Sequence, residues 1–211
     1  MNKLDPYRHW LMALWLLAFF AYHMAWTAHA AAAFTLNGFD LAEQVGLHPA
    51  IQAESPAYRT AGLLRLPIPL IAAGIALTAL LYPDARFKWL WRVIAALIAL
   101  RVIPPETALR QPGTLTENDY AMQLTLLTFC GLLLVGITLL PPIEKWAVRH
   151  LWIIEIGLVI MGLILPLIGL ERSLRLLKEL NLAVSLGGGA IIYVILIVGI
   201  GGLALKNKPA L

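Results

Sequence analysis

LLRLPIPLIAAGIALTALLY, residues 63–82, is a run of twenty residues carrying one charge, Arg65. The hydrocarbon core of a bilayer is about 30 Å thick and an α-helix rises about 1.5 Å per residue, so about 20 apolar residues make one crossing. The stretch therefore reads as a membrane span. Five further runs have the same character, at residues 10–34, 89–103, 120–140, 151–170 and 182–205. The run at 89–103 is the shortest, with Arg92 and Arg101 near its ends.

Composition agrees with this reading. Hydrophobic residues make up 60% of the chain and charged residues 13%, with a mean hydropathy of +0.79. Soluble domains carry about 25% charged residues. Six crossings use most of 211 residues, so the expectation is one all-α integral membrane domain over 1–211. It is a bundle of six transmembrane helices with short amphipathic helices in the outer loops. At the N-terminus, Lys3, Arg8 and the Ala28-His29-Ala30 triplet resemble a secretory leader. The apolar stretch before the triplet is longer than a leader's core of about 7–15 residues, which favours an uncleaved anchor helix.

The basic residues sort by loop. With the N-terminus inside, nine Lys and Arg lie on the inner side and seven on the outer. The inner connections are short and basic, PDARFK at 83–88 and EKWAVRH at 144–150. The positive-inside rule then puts both termini in the cytoplasm and the chain in the cell membrane. A pI near 9.4 reflects charges at span ends, where anionic headgroups are their neighbours, and no basic run suggests nucleic acid. The lipid bilayer is the expected partner, together with other membrane subunits.

The outer connections carry pattern. Asp40 and Glu43 suit a helix start, Gly46 a helix end and Pro49 a stop beyond it. At 100° per residue Leu41, Ala42 and Val45 share the side opposite Asp40, Glu43 and Gln44. In 171–180 the charges Glu171, Arg172, Arg175, Lys178 and Glu179 face away from Leu174, Leu176, Leu177 and Leu180. Such a segment lies flat at the interface or extends a neighbouring span. The middle connection, 104–119, holds Pro104, Pro105, Pro112 and Gly113, and Thr116 with Asp119 reads as a capping box.

Ionisable groups within a span are costly, so each is a functional hypothesis. His23, Trp26 and His29, spaced i, i+3, i+6, would form one aromatic face if helical, with His23 the deeper candidate. Two histidines six apart straddle the tryptophan instead of converging on one metal, and no metal site or cofactor is expected. Arg92 and Glu155 lie at similar depths in the 89–103 and 151–170 runs, and sharing the cost of burial predicts an intramembrane ion pair between them. The third place is outer. Pro67 and Pro69 beside Arg65 remove backbone donors, and irregular backbone at membrane depth survives only when covered or lining a cavity. An outward-facing polar pocket is expected there, with Arg65, Arg101, Asp40, Glu43 and His23 as its ligand-binding side chains.

Catalytic signatures are missing. The serines number three (Ser55, Ser173, Ser185), none in a GxSxG setting, and no phosphate-binding loop or zinc spacing occurs. The lone Cys130 rules out internal disulfide chemistry. The sequence thus predicts a non-catalytic accessory or structural subunit of a larger membrane complex. The alternative is a small-molecule carrier, or the substrate-binding membrane subunit of a transporter, built on the outer pocket.

Overall fold

A computed structural model describes residues 4–31, 35–55, 59–103 and 120–206. The elements are α1 (Leu4–Tyr22), β1 (Thr27–Ala28), α2 (Gly38–Gly46), α3 (Pro49–Gln52), α4 (Thr60–Arg65), α5 (Pro67–Thr78), α6 (Ala85–Ala99), α7 (Tyr120–Leu139), α8 (Pro141–Glu179), β2 (Ser185–Leu186) and α9 (Gly188–Lys206). Short 3-10 turns extend α5 through Ala79–Leu81 and α6 through Leu100–Val102.

The chain is helical, and among the described residues three helices are long and apolar enough to cross a membrane: Thr60–Leu81, Pro141–Glu179 and Gly188–Lys206. This points to a membrane location. The other apolar runs fall in α1, α6 and α7. The run at 10–34 is not one helix: α1 stops at Tyr22, and Thr27–Ala28 pairs as a strand with Ser185–Leu186, in antiparallel register Thr27↔Leu186 and Ala28↔Ser185. The helical stripe expected of His23, Trp26 and His29 therefore does not form. Trp26 turns inward, fully buried between the rings of Tyr22 and Tyr193 at 5.4 and 5.2 Å.

α4 and α5 together form the axis of the molecule. Every residue in this apolar segment's most hydrophobic window is buried, because α1, α2, α6, α7 and α8 pack around it. A helix that is apolar on all sides has no reason to present a face to water and is stable when wrapped. Pro67 and Pro69 do not break it: Leu66 between the two pieces keeps helical dihedrals, φ −56° and ψ −32°. The irregular backbone expected there is thus a helix lacking two amide donors.

α8 is longer than its predicted span. Its 39 residues cover the 151–170 run and the amphipathic segment as far as Glu179 in one helix, with Leu180 as its C-cap. At about 1.5 Å per residue it reaches about 58 Å, so its charged ends must project past a hydrocarbon layer of about 30 Å. Leu176 and Leu177 are buried while Arg175, Lys178 and Glu179 are exposed. The segment is an amphipathic extension packed on the protein. The capping box at Thr116 and Asp119, and the prolines of 104–119, lie outside the described residues.

On the axis, Gly74 makes room for the Trp15 ring. A Cβ there would overlap the Trp15 ring, and Trp15 is itself held by a hydrogen bond. Gly74→Ala is expected to destabilise the protein by about 1–3 kcal/mol through overpacking. Gly131→Ala, at a position with nothing within 4 Å, should be neutral or slightly stabilising. Thermal unfolding of both variants in detergent micelles checks this.

Candidate functional site: two buried polar centres on the axial helix

The first centre lies at the outer end as the sequence orients it, where α2 covers α4. Asn37 caps α2, its side-chain oxygen accepting from the amides of Phe39 and Asp40 at 2.9 Å each. The helix thus starts before Asp40, whose carboxylate returns the bond by accepting from Asn37 Nδ2 at 2.8 Å. Leu41, Ala42 and Val45 are buried and Glu43 and Gln44 exposed, as the 100° spacing requires. α2 also sits against Tyr22, since a Cβ on Gly38 would come within 2.5 Å of that ring.

α2 brings Glu43 over the end of α4. Arg65 is 3% exposed and donates through Nη2 to Glu43 Oε1 at 2.6 Å. One residue back, the Leu64 carbonyl accepts the Tyr22 hydroxyl at 3.0 Å. The other side chains expected here gather around the same helix. Arg101 lies over the ring of Phe39, 5.4 Å from its centroid. His23 stacks edge-on to Tyr22 at 5.3 Å, with Nδ1 2.9 Å from the Phe19 carbonyl oxygen. Arg65 and Glu43 thus meet directly, Tyr22 bonds the carbonyl of the residue beside Arg65, and Asp40, Arg101 and His23 reach the group through α2 or Tyr22. A further clasp closes this end: the Glu54 carboxylate caps Thr60 and lies 3.9 Å from Arg172 on α8.

The second centre is Glu155 on α8, fully buried. Its carboxyl oxygens accept from Trp15 Nε1 on α1 at 3.1 Å and from Thr78 Oγ1 on α5 at 3.3 Å. The predicted pair with Arg92 does not form. Arg92 instead donates to the Ile137 carbonyl on α7 at 3.2 Å, with Glu144 Oε2 at 3.7 Å, and Glu144 also accepts from Lys88 at 2.8 Å. Similar depth is necessary for two groups to meet but does not say which helices are neighbours. Trp15 lies about five residues into its apolar run, the same depth as Glu155, so depth arithmetic selects it equally well. Only helix packing decides between them.

Both centres join helices through groups of this chain. Arg65 and Glu43 form an ion pair whose cation is buried and whose acid is half exposed. Glu155 holds three helices through two neutral donors. Among the described residues, no three of His, Cys, Asp and Glu come together as metal ligands would. The chain matches no known protein family, no curated protein and no solved structure.

Removing Glu43 takes a close anion from the buried Arg65 guanidinium. Glu43→Ala should cost about 1–3 kcal/mol, below the value for a wholly buried pair because Glu43 is half exposed. Arg65→Leu, which leaves the Glu43 carboxylate half exposed to solvent, should cost less. Trp15→Phe removes one of two donors to a buried carboxyl and should cost about 1.5–3 kcal/mol. Trp10→Phe, at an exposed position of the same helix, serves as the neutral control. Unfolding midpoints in micelles rank the four.

Proposed function

We propose that this protein is a non-catalytic, multi-pass membrane protein serving as an accessory subunit of a larger membrane assembly, with six crossings and both termini cytoplasmic. The observation that supports the reading is how the interior polar groups are used. Trp15 and Thr78 join Glu155, Arg65 joins Glu43, Tyr22 joins Leu64, Tyr193 joins Gly162 and Lys88 joins Glu144. Each of these bonds ties one helix to another. In a membrane, where lipid is as apolar as the helices, such bonds and close packing are what hold a bundle together. A rigid bundle that spends its polar groups on its own helices suits a scaffold.

The reading also draws on the outer face. α2 and the end of α8 build a capped surface there, with Gln44, His48, Leu180 and Leu182 around a hollow of about 110 Å³. A carrier would need polar groups to hold a solute, and the Arg65 and Glu43 pair, with Glu43 half exposed, is where that second reading would begin.

Native mass spectrometry of the complex, extracted from host membranes in the mildest detergent that keeps it soluble, tests the proposal. A stoichiometric protein partner is expected. A lone chain or homo-oligomer carrying a small non-lipid mass would overturn the subunit reading in favour of the carrier.

A further inference from the structure

A groove of about 280 Å³ runs between α6 and α7 near the end where α6 begins. Val93, Ala96, Leu134 and Val135 form apolar walls, and Trp89, Arg92 and Thr138 are among the other lining residues. From Trp89 to Ala96 it follows α6 for about 10 Å. Arg92 is only 8% exposed, yet its Nε has no hydrogen-bond partner. Its Nη2 is committed to the Ile137 carbonyl, and Glu144 at 3.7 Å is too far for a hydrogen bond. A guanidinium carries five N–H donors in a fork that matches phosphate oxygens, so this one retains donors for an anion.

Beside the groove lies a second hollow of about 440 Å³, lined by Lys88, Glu144, Lys145, Pro141, Leu80 and Val148. Lys88 and Arg92 both approach Glu144, and Lys145 lines the same hollow, so these four side chains carry a surplus of two positive charges. Trp89 and Trp146 flank this end and are 55% and 57% exposed. Exposed tryptophans beside lysines mark the headgroup level of a membrane protein. The combined site is therefore cationic at the interface and apolar along its depth.

We propose that this groove binds an anionic glycerophospholipid, one acyl chain lying between α6 and α7 and the phosphate meeting Arg92, Lys88 and Lys145. Charge complementarity at one end and hydrocarbon walls along the rest fit an amphiphile. A free inorganic anion would leave the apolar length unused. A peptide segment would bring backbone N–H and C=O groups that the walls offer no means of satisfying. The proposal stands apart from the subunit reading, since a lipid can occupy this groove whether or not a protein partner exists.

The test is native mass spectrometry of the full chain, delipidated in a neutral detergent and titrated with phosphatidylglycerol or phosphatidylcholine. Wild type should hold phosphatidylglycerol more tightly than phosphatidylcholine. Lys145→Gln should weaken phosphatidylglycerol binding by about fivefold, the worth of one cation at an anionic headgroup. Arg92→Gln should weaken it at least as much. Ala96→Phe, at a half-buried wall position, should block the groove and abolish binding of the lipid while the charges remain. Lys178→Gln, at the far end of α8, should change nothing. Equal affinity for the two lipids overturns the proposal. So does wild-type phosphatidylglycerol binding by a folded Ala96→Phe, which keeps the test decisive if Arg92→Gln fails to fold. Full displacement of the lipid by inorganic phosphate would also overturn it, because the acyl chain would then contribute nothing.

Discussion

Enclosure of the axial helix is the constraint on which the rest of the structure depends. Thr60–Leu81 is apolar on every side and buried throughout its most hydrophobic window. To wrap such a helix, neighbours must approach closely from several directions, and lipid tails compete with them as apolar company. The axis answers with small residues and shape. Gly74 accepts the Trp15 ring, and Ala72, Ala73 and Ala76 keep the surface narrow. Pro67 and Pro69 forfeit two backbone donors, a loss that is tolerable because the segment remains helical and is covered by its neighbours.

Packing alone does not fix which neighbour sits where, since apolar surfaces are interchangeable. The polar groups supply the register. Trp15 and Thr78 can meet Glu155 only if α1, α5 and α8 are at one rotation and one depth. Arg65 with Glu43, and Tyr22 with the Leu64 carbonyl, do the same for α2, α4 and α1. At the opposite end Lys88 and Arg92 address Glu144 and so set α6 against α8. A buried polar group without its partner is expensive, so each clasp penalises the alternative arrangements more than it rewards the right one.

Much of this was legible beforehand. The apolar runs announced helices, and the Leu41, Ala42 and Val45 face of α2 followed from periodicity. Arg65 and Glu43 were expected at one end of the bundle as ligand-binding side chains, and their pairing with each other was not foreseen. The errors have a common origin. Residues 10–34 are uniformly apolar and read as one span, but Ala25 to Ala28 are recruited into backbone pairing with 185–189, a non-local event that hydropathy cannot register. The Asp40 start of α2 was misplaced because Asn37 was a better cap lying three residues earlier. The Arg92–Glu155 pair failed because depth is one coordinate and contact needs three.

The sequence by itself determined that the chain is helical, that it carries segments fit to cross a membrane, and which faces of the short helices are buried. These are consequences of hydrophobicity and of a fixed angle per residue, both local. The tertiary structure alone decided which helix became the wrapped axis, that Glu155 answers to a tryptophan and a threonine, and that Arg92 keeps an unused donor beside an apolar groove. Those outcomes depend on which helices become neighbours. That choice is made by the summed packing of many weakly distinguishable apolar surfaces, and no single stretch of the chain encodes it.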